Sequence, residues 1–142
     1  MGFLSSIFGK KEEYPLLDPG APSTEQLNKF NAQLSELLNK VHDRIEVVPA
    51  ENNVYVYIGK PPGMFGMVWF EDGKEVNFKS LVKDKGLSQK KVQTLSGKLG
   101  DVYERSKQYQ RYTAKIADRD IIVTPSDAFE QEISQVIQGI EH

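Results

Sequence analysis

The sequence predicts a two-layer α+β domain with an antiparallel sheet of about five to six strands and three amphipathic helices. Three segments carry apolar residues at spacings of three and four, the period of a helix with one buried side. Shorter segments rich in Val, Ile, Tyr and Phe are separated by Gly, Pro and Asn, as strands and turns are. The predicted order is α-β-β-β-(β)-α-β-β-α, within a single domain of residues 23–142.

The first predicted helix begins at Ser23 and runs to about His42. Ser23 and Gln26, three residues later, have the form of a capping box. A single apolar stripe then follows at helical spacing: Leu27, Phe30, Leu34, Leu37, Leu38 and Val41. We expect this stripe to pack on the sheet.

Four strands are predicted in the first half of the chain. They cover residues 45–48, 54–58, 65–70 and 75–78. Pro49 ends the first strand, and Pro61-Pro62 follows the second, because proline cannot donate to a strand ladder. Asp72-Gly73 predicts a tight hairpin between the last two.

Two helices are predicted next, a short one over residues 79–85 and a longer one capped by Ser88. Gly86 closes the short helix. Gly97 and Gly100 fall inside the longer helix. Since glycine weakens a helix interior, they indicate either a break or the close approach of another element.

A hairpin and a helix complete the predicted domain. The strands cover residues 112–117 and 121–124, around a turn at Asp118-Arg119. Thr124-Pro125 begins the last helix, because proline is favoured in a first helical turn. Its apolar stripe is Phe129, Ile133, Val136, Ile137 and Ile140.

The two faces of the predicted sheet differ. Strand 54–58 alternates strictly, so Val54, Val56 and Ile58 lie under the helices and two tyrosines point the other way. We expect that second face to be too apolar for water and to bind a partner protein, through Tyr55, Tyr57, Val68 and Phe70. Trp69 should share a structural environment with Met67 and Phe65 on its own strand.

Composition indicates a globular protein and excludes several classes of site. The chain lacks cysteine, which excludes disulfides and thiolate metal sites and fits a cytoplasmic location, and it has no apolar run near 20 residues. The net charge is −2, but residues 74–111 hold ten Lys/Arg against four Asp/Glu, a local charge of +6. That segment is either a solvated helical surface or a site for an anionic partner.

Few residues are candidates for catalysis or metal binding. His42 and His142 have no second ligand at zinc spacing. Asp118 and Asp120 are close enough to work as paired carboxylates, although turn chemistry explains them equally well. No phosphate-binding loop, dinucleotide motif or nucleophile elbow is present. We therefore predict no enzyme activity, no cofactor and no metal.

The element order over about residues 23–140 resembles that of the class I type III secretion chaperones. This is a resemblance of topology, with no matching motif. It implies a cytoplasmic homodimer that holds an unfolded segment of a partner protein. The extra strand at residues 75–78 departs from the simplest form of that topology.

Residues 81–95 are similar to a helix-turn-helix. Gly86 stands at the turn, and Val92 and Leu95 occupy packing positions of the second helix. The resemblance implies that Gln89, Lys90 and Gln93 face DNA, that Lys91 lies nearer the phosphates, and that the following hairpin acts as a wing. DNA binding is thus one alternative function.

The N-terminus combines apolar and basic residues. If the segment is helical, one side carries Phe3, Leu4, Ile7 and Phe8, and two lysines follow. Such a short helix is unstable alone in water, so we expect it to dock on another protein or a membrane surface, or to fold back on the domain's own sheet. We predict that residues 1–22 are this docking segment and its Pro/Gly tether.

Together these features favour a non-catalytic protein-binding, adaptor or chaperone-like domain, expected to be a cytoplasmic homodimer. DNA binding and peripheral membrane association through residues 2–11 are the alternatives.

Overall fold

The computed structural model describes residues 14–140. Within them lie five α-helices and six strands, together with a short 3-10 helix after α4. In chain order the elements are α1 (Pro22–Lys29), α2 (Asn31–Lys40), β1 (Ile45–Pro49), β2 (Val54–Gly59), β3 (Phe65–Glu71), β4 (Lys74–Asn77), α3 (Phe78–Lys83), α4 (Gln89–Arg105), β5 (Tyr112–Ile116), β6 (Arg119–Val123) and α5 (Asp127–Ile140).

The six strands form one sheet in the order β4-β3-β2-β1-β6-β5. All neighbours are antiparallel except β1 and β6, which pair in parallel with Val47 opposite Val123. The chain therefore passes from one edge of the sheet at β4 to the other at β5 by way of α3 and α4. The predicted α+β class, with a largely antiparallel sheet of about six strands, is confirmed.

A row of valines crosses the centre of the sheet on one face. The strand register places Val123, Val47, Val56 and Val68 side by side on β6, β1, β2 and β3. Each is at most 3% exposed, because leucines of α1 and α2 pack over the row. These leucines belong to the stripe predicted for the first helix.

The opposite face is covered as well. Tyr55, Tyr57, Met67 and Trp69 lie beneath α3, α4 and α5 in a second core cluster. The expectation that this face stays open for a partner is therefore wrong, because the helices of the second half fold back over it. Trp69 is 1% exposed and shares this cluster with Met67, while Phe65 packs against it, as predicted.

The first predicted helix is two helices that meet at Phe30. Phe30 has φ −109° and ψ 17°, outside the helical range, and its ring packs on Phe70 with centroids 5.8 Å apart. The helix begins one residue early, with Ala21 as N-cap and Pro22 in the first turn. The predicted capping box at Ser23 is therefore wrong, since proline starts the helix without a side-chain cap.

The turns follow the predicted chemistry more closely. Asp72 and Gly73 have φ of 53° and 79°, as the predicted two-residue hairpin turn requires. The second turn is Ala117-Asp118, with φ of 51° and 63°, one residue earlier than the predicted Asp118-Arg119, because Arg119 already pairs in β6. Ser88 caps α4 through a bond from the Lys91 amide to its hydroxyl, 3.1 Å. Helix α4 is continuous from Gln89 to Arg105.

Gly100 marks a close approach of a loop to α4. A Cβ at this position would lie 3.3 Å from the Cβ of Pro62, in the loop between β2 and β3. Of the two explanations for the helical glycines, close approach applies to Gly100. Nothing lies within 4 Å of a Cβ at Gly97.

Residues 14–17 form a strap along the outer edge of β5. The Thr113 amide donates to the Pro15 carbonyl over 2.8 Å, and the Leu17 amide donates to the Thr113 carbonyl over 2.9 Å. Leu17 packs against the cluster under α1 and α2. The described part of the predicted tether is thus attached to the domain.

Candidate functional site

The most concentrated group of charged side chains surrounds Glu46 at the centre of the sheet. Glu46 lies on β1, is 2% exposed and faces the side covered by α4. Its Oε1 accepts from Arg111 Nε over 3.0 Å, and its Oε2 accepts from Arg44 Nη1 over 2.5 Å and from the Tyr103 hydroxyl. One carboxylate therefore joins β1, α4 and the start of β5.

Arg111 is fully engaged within the chain. Beyond Glu46, its Nη1 donates to the Ser106 carbonyl and its Nη2 to the Ser106 hydroxyl, each over 2.9 Å. Its guanidinium carbon lies 5.2 Å from the centre of the Tyr103 ring. All three nitrogens have partners, so the cluster anchors the turn between α4 and β5 and directs no group of Arg111 toward a ligand.

Two tyrosines complete the cluster as proton donors. The Tyr57 hydroxyl donates to the Leu99 carbonyl over 2.8 Å. Burial, and then the nearby Glu46 charge, raise the pKa of Tyr57 above its usual value. Burial and the hydrogen bond to Glu46 also raise the pKa of Tyr103. Both stay protonated near neutral pH, which suits a structural network.

Sequence reasoning missed this cluster, although one signal was available. Glu46 interrupts an otherwise apolar strand, and a charge in such a strand indicates a buried partner. The partner, Arg111, is 65 residues away in the chain, so spacing could not identify it.

The predicted partner-binding residues are not brought together. Tyr55 and Tyr57 face α4 and α5, whereas Val68 and Phe70 lie on the other face beneath α1 and α2. All four are at most 7% exposed, so the prediction that they form an accessible surface is wrong. Phe3, Leu4, Ile7 and Phe8 lie outside the described residues.

The predicted DNA-facing residues are exposed at the start of α4: Gln89, Lys90, Lys91 and Gln93. Leu95 is buried and Val92 half-buried, as packing positions of a second helix would be. The hairpin β5–β6 lies toward the sheet edge opposite β4. It therefore follows α4 in the chain but forms the far side of the sheet, away from the strand that leads into the two helices.

The remaining candidates occupy surface positions. Asp120 pairs with Lys115 over 3.1 Å in the exposed β5–β6 hairpin, and Asp118 lies in its turn. His42 is exposed beyond the end of α2. Within residues 14–140 no three His, Asp or Glu residues are grouped as a metal site would need. No helix in that range has both the length and the apolar character of a membrane span.

Comparison with known proteins identifies no relative of the chain. No protein-family model, curated protein or solved structure matches the chain. The resemblance to type III secretion chaperones accordingly stays a prediction.

Proposed function

We propose that the protein is a non-catalytic protein-binding adaptor that docks through its N-terminal apolar segment. The observation that carries the proposal is the strap of residues 14–17. It attaches the chain to the edge of β5 at a defined place, a few residues after the apolar segment in the sequence.

The strap leaves an apolar side chain in solvent beside that point. Leu16 is 79% exposed, while its neighbour Leu17 packs against the core. An exposed leucine alone is ordinary. Here it lies eight residues after Phe8 in the sequence, downstream of four further bulky apolar residues, Phe3, Leu4, Ile7 and Phe8, and we propose that both contribute to docking.

Coverage of both sheet faces supports docking on another protein. Folding back onto an open sheet face was the competing hypothesis, and α1 to α5 already occupy both faces. The predicted homodimer rested largely on that open face. It now rests on the chaperone resemblance alone.

The test compares the full chain with two charge variants in the same segment. Ile7→Glu with Phe8→Glu removes apolar contact area, and Ser5→Glu with Ser6→Glu adds the same charge at polar positions. In direct titration, we expect a partner identified with the full chain to bind that chain and the serine variant with similar affinity. Its affinity for the apolar variant should be about tenfold or more lower. Equal binding by both variants contradicts the proposal.

Vesicles separate the membrane alternative. Flotation with phosphatidylcholine vesicles, with and without phosphatidylserine, should leave the chain unbound. Retention that depends on Ile7 and Phe8 would instead assign the segment to a membrane surface.

DNA binding is the second candidate, favoured by the charge around α3 and α4. Six exposed lysines there make no ion pair with any residue from 14 to 140: Lys74, Lys79, Lys83, Lys90, Lys91 and Lys98. A salt titration on duplex DNA tests it, with Lys90→Glu against Lys29→Glu on α1 as control. If this surface binds DNA, its affinity should fall steeply as the salt concentration rises. Lys90→Glu should then weaken binding, whereas Lys29→Glu should leave it unchanged.

A further inference from the structure

The two edge strands of the sheet differ in whether another segment pairs with their outer side. The strap covers β5, whereas no strand within residues 14–140 pairs with the outer side of β4. The two-residue turn at Asp72-Gly73 makes Glu71 and Lys74 the hydrogen-bonded closing pair. The backbone N–H and C=O of Glu75, the next residue, therefore point away from β3 toward solvent.

A groove of about 380 Å³ lies beside this open edge. It runs between the end of α2 and the outer strands, and its apolar lining includes Leu37, Val41, Ile58, Gly66, Val68 and Phe78. Val41, Ile58 and Phe78 are only half-buried. Apolar side chains are thus accessible next to unpaired backbone groups, the combination that strand-adding peptides use.

The charges around the groove favour an acidic occupant. Glu75 is already neutralised by Lys40, 2.9 Å away, and its second oxygen accepts from Asn77 over 3.0 Å. Lys79 in the groove wall and Lys74 on β4 are exposed and make no ion pair within residues 14–140. The surface therefore carries a net positive charge toward anything that docks on it.

We propose that the edge of β4 and this groove bind an extended segment of a partner protein, in which an apolar residue is flanked by acidic residues. The segment adds a strand through the backbone of Glu75, its apolar side chain enters the groove, and its carboxylates face Lys74 and Lys79. A second copy of the chain fits poorly, since a two-fold axis would set this cationic surface against itself.

The test uses the full chain and a fluorescent peptide of eight residues with a central leucine flanked by valine, aspartate and glutamate. A peptide with lysine in place of the acidic residues is the charge control. Gly66→Val fills the groove, and the chain can accept it, because a Cβ at Gly66 meets only the Cβ of Ile58 at 3.9 Å. Lys79→Glu reverses the rim, and Lys98→Glu, exposed on α4 at the other face, is its matched control.

Fluorescence anisotropy should show saturable binding of the acidic peptide. We expect affinity to fall about tenfold with Gly66→Val and several-fold with Lys79→Glu, and to stay unchanged with Lys98→Glu. Equal binding of the basic peptide, no effect of Gly66→Val, or no saturation by about 1 mM overturns the proposal. So does a wild-type dimer in sedimentation that Gly66→Val converts to a monomer, which would make a second copy the occupant.

Discussion

The two faces of the sheet are stabilised in different ways. On one, which we call the aliphatic face, a row of valines packs against the leucines of α1 and α2, and the stabilising free energy comes from buried apolar area. On the other, which we call the aromatic face, the Tyr57 ring centre lies 5.1 Å from that of Tyr103 and 5.9 Å from that of Phe129, next to the Glu46 cluster. The aliphatic face tolerates changes that preserve volume, whereas the aromatic face also needs each polar atom to keep its partner.

Trp69→Ala is expected to have the largest effect, about 3–5 kcal/mol of unfolding free energy. Trp69 is 1% exposed, and its indole N–H donates to Glu71 over 3.0 Å, so the change leaves a cavity and removes a bond. Leu34→Ala on the aliphatic face is the comparison, at about 2–4 kcal/mol. Urea unfolding measures both. A loss below about 1 kcal/mol for Trp69→Ala would show that its face is not core.

Glu46→Gln tests whether the aromatic face depends on charge pairing. The side chain keeps its size, but Arg111, whose side chain is 6% exposed, loses its counter-charge, which we expect to cost about 3 kcal/mol. Glu75→Gln, which breaks the exposed pair with Lys40, is the control and should cost less than about 1 kcal/mol.

A double variant separates pairing from burial. Glu46→Met with Arg111→Met should recover most of the loss, because no buried charge then lacks a partner. If the double variant is as unstable as Glu46→Gln, the hydrogen-bond geometry of the cluster matters more than its charge.

Tyr57→Phe is expected to have the smallest effect at neutral pH, about 1 kcal/mol for the bond to the Leu99 carbonyl. The effect of this substitution on the free energy of unfolding should change at alkaline pH. Burial and Glu46 raise the pKa of Tyr57, so the folded chain holds this proton more tightly than the unfolded chain. Stability is therefore retained below about pH 9 and lost as the pH rises past about 10, where unfolded tyrosines ionise.

Unfolding between pH 7 and 11 checks this dependence. Tyr57→Phe should lose less stability over that range than the parent chain, because one titrating group is gone. Leu34→Ala, which leaves every tyrosine in place, should follow the parent's slope. Identical slopes for all three chains would contradict the assignment.

The accuracy of the sequence predictions differs between elements for physical reasons. Strand bounds were correct to within about two residues, because alternation along β2 and the turn residues at Asp72-Gly73 are local signals. The first helix was predicted as continuous, since its stripe crosses Phe30 without a change of period. The break there depends on contact with Phe70, on a strand about forty residues later.

The candidate surfaces were harder to predict than the elements. Exposure of Gln89, Lys90, Lys91 and Gln93 followed from the helical period and the cap at Ser88. Burial of Tyr55, Tyr57, Val68 and Phe70 did not follow from their strands, because it depends on which helices cover which face. Alternation indicates that two residues share a face but carries no information on what lies above it.

Local chemistry in the chain was therefore sufficient for the α+β class, for most helix and strand positions and for the Asp72-Gly73 hairpin turn. Each is encoded by residues that are neighbours in sequence, through side-chain period, proline and positive φ. The parallel pairing of β1 with β6, the strap on β5, the coverage of both faces and the Glu46–Arg111 cluster were decided only in the folded chain. All four join residues far apart in sequence, and their free energy comes from burial and pairing that exist only once those segments meet.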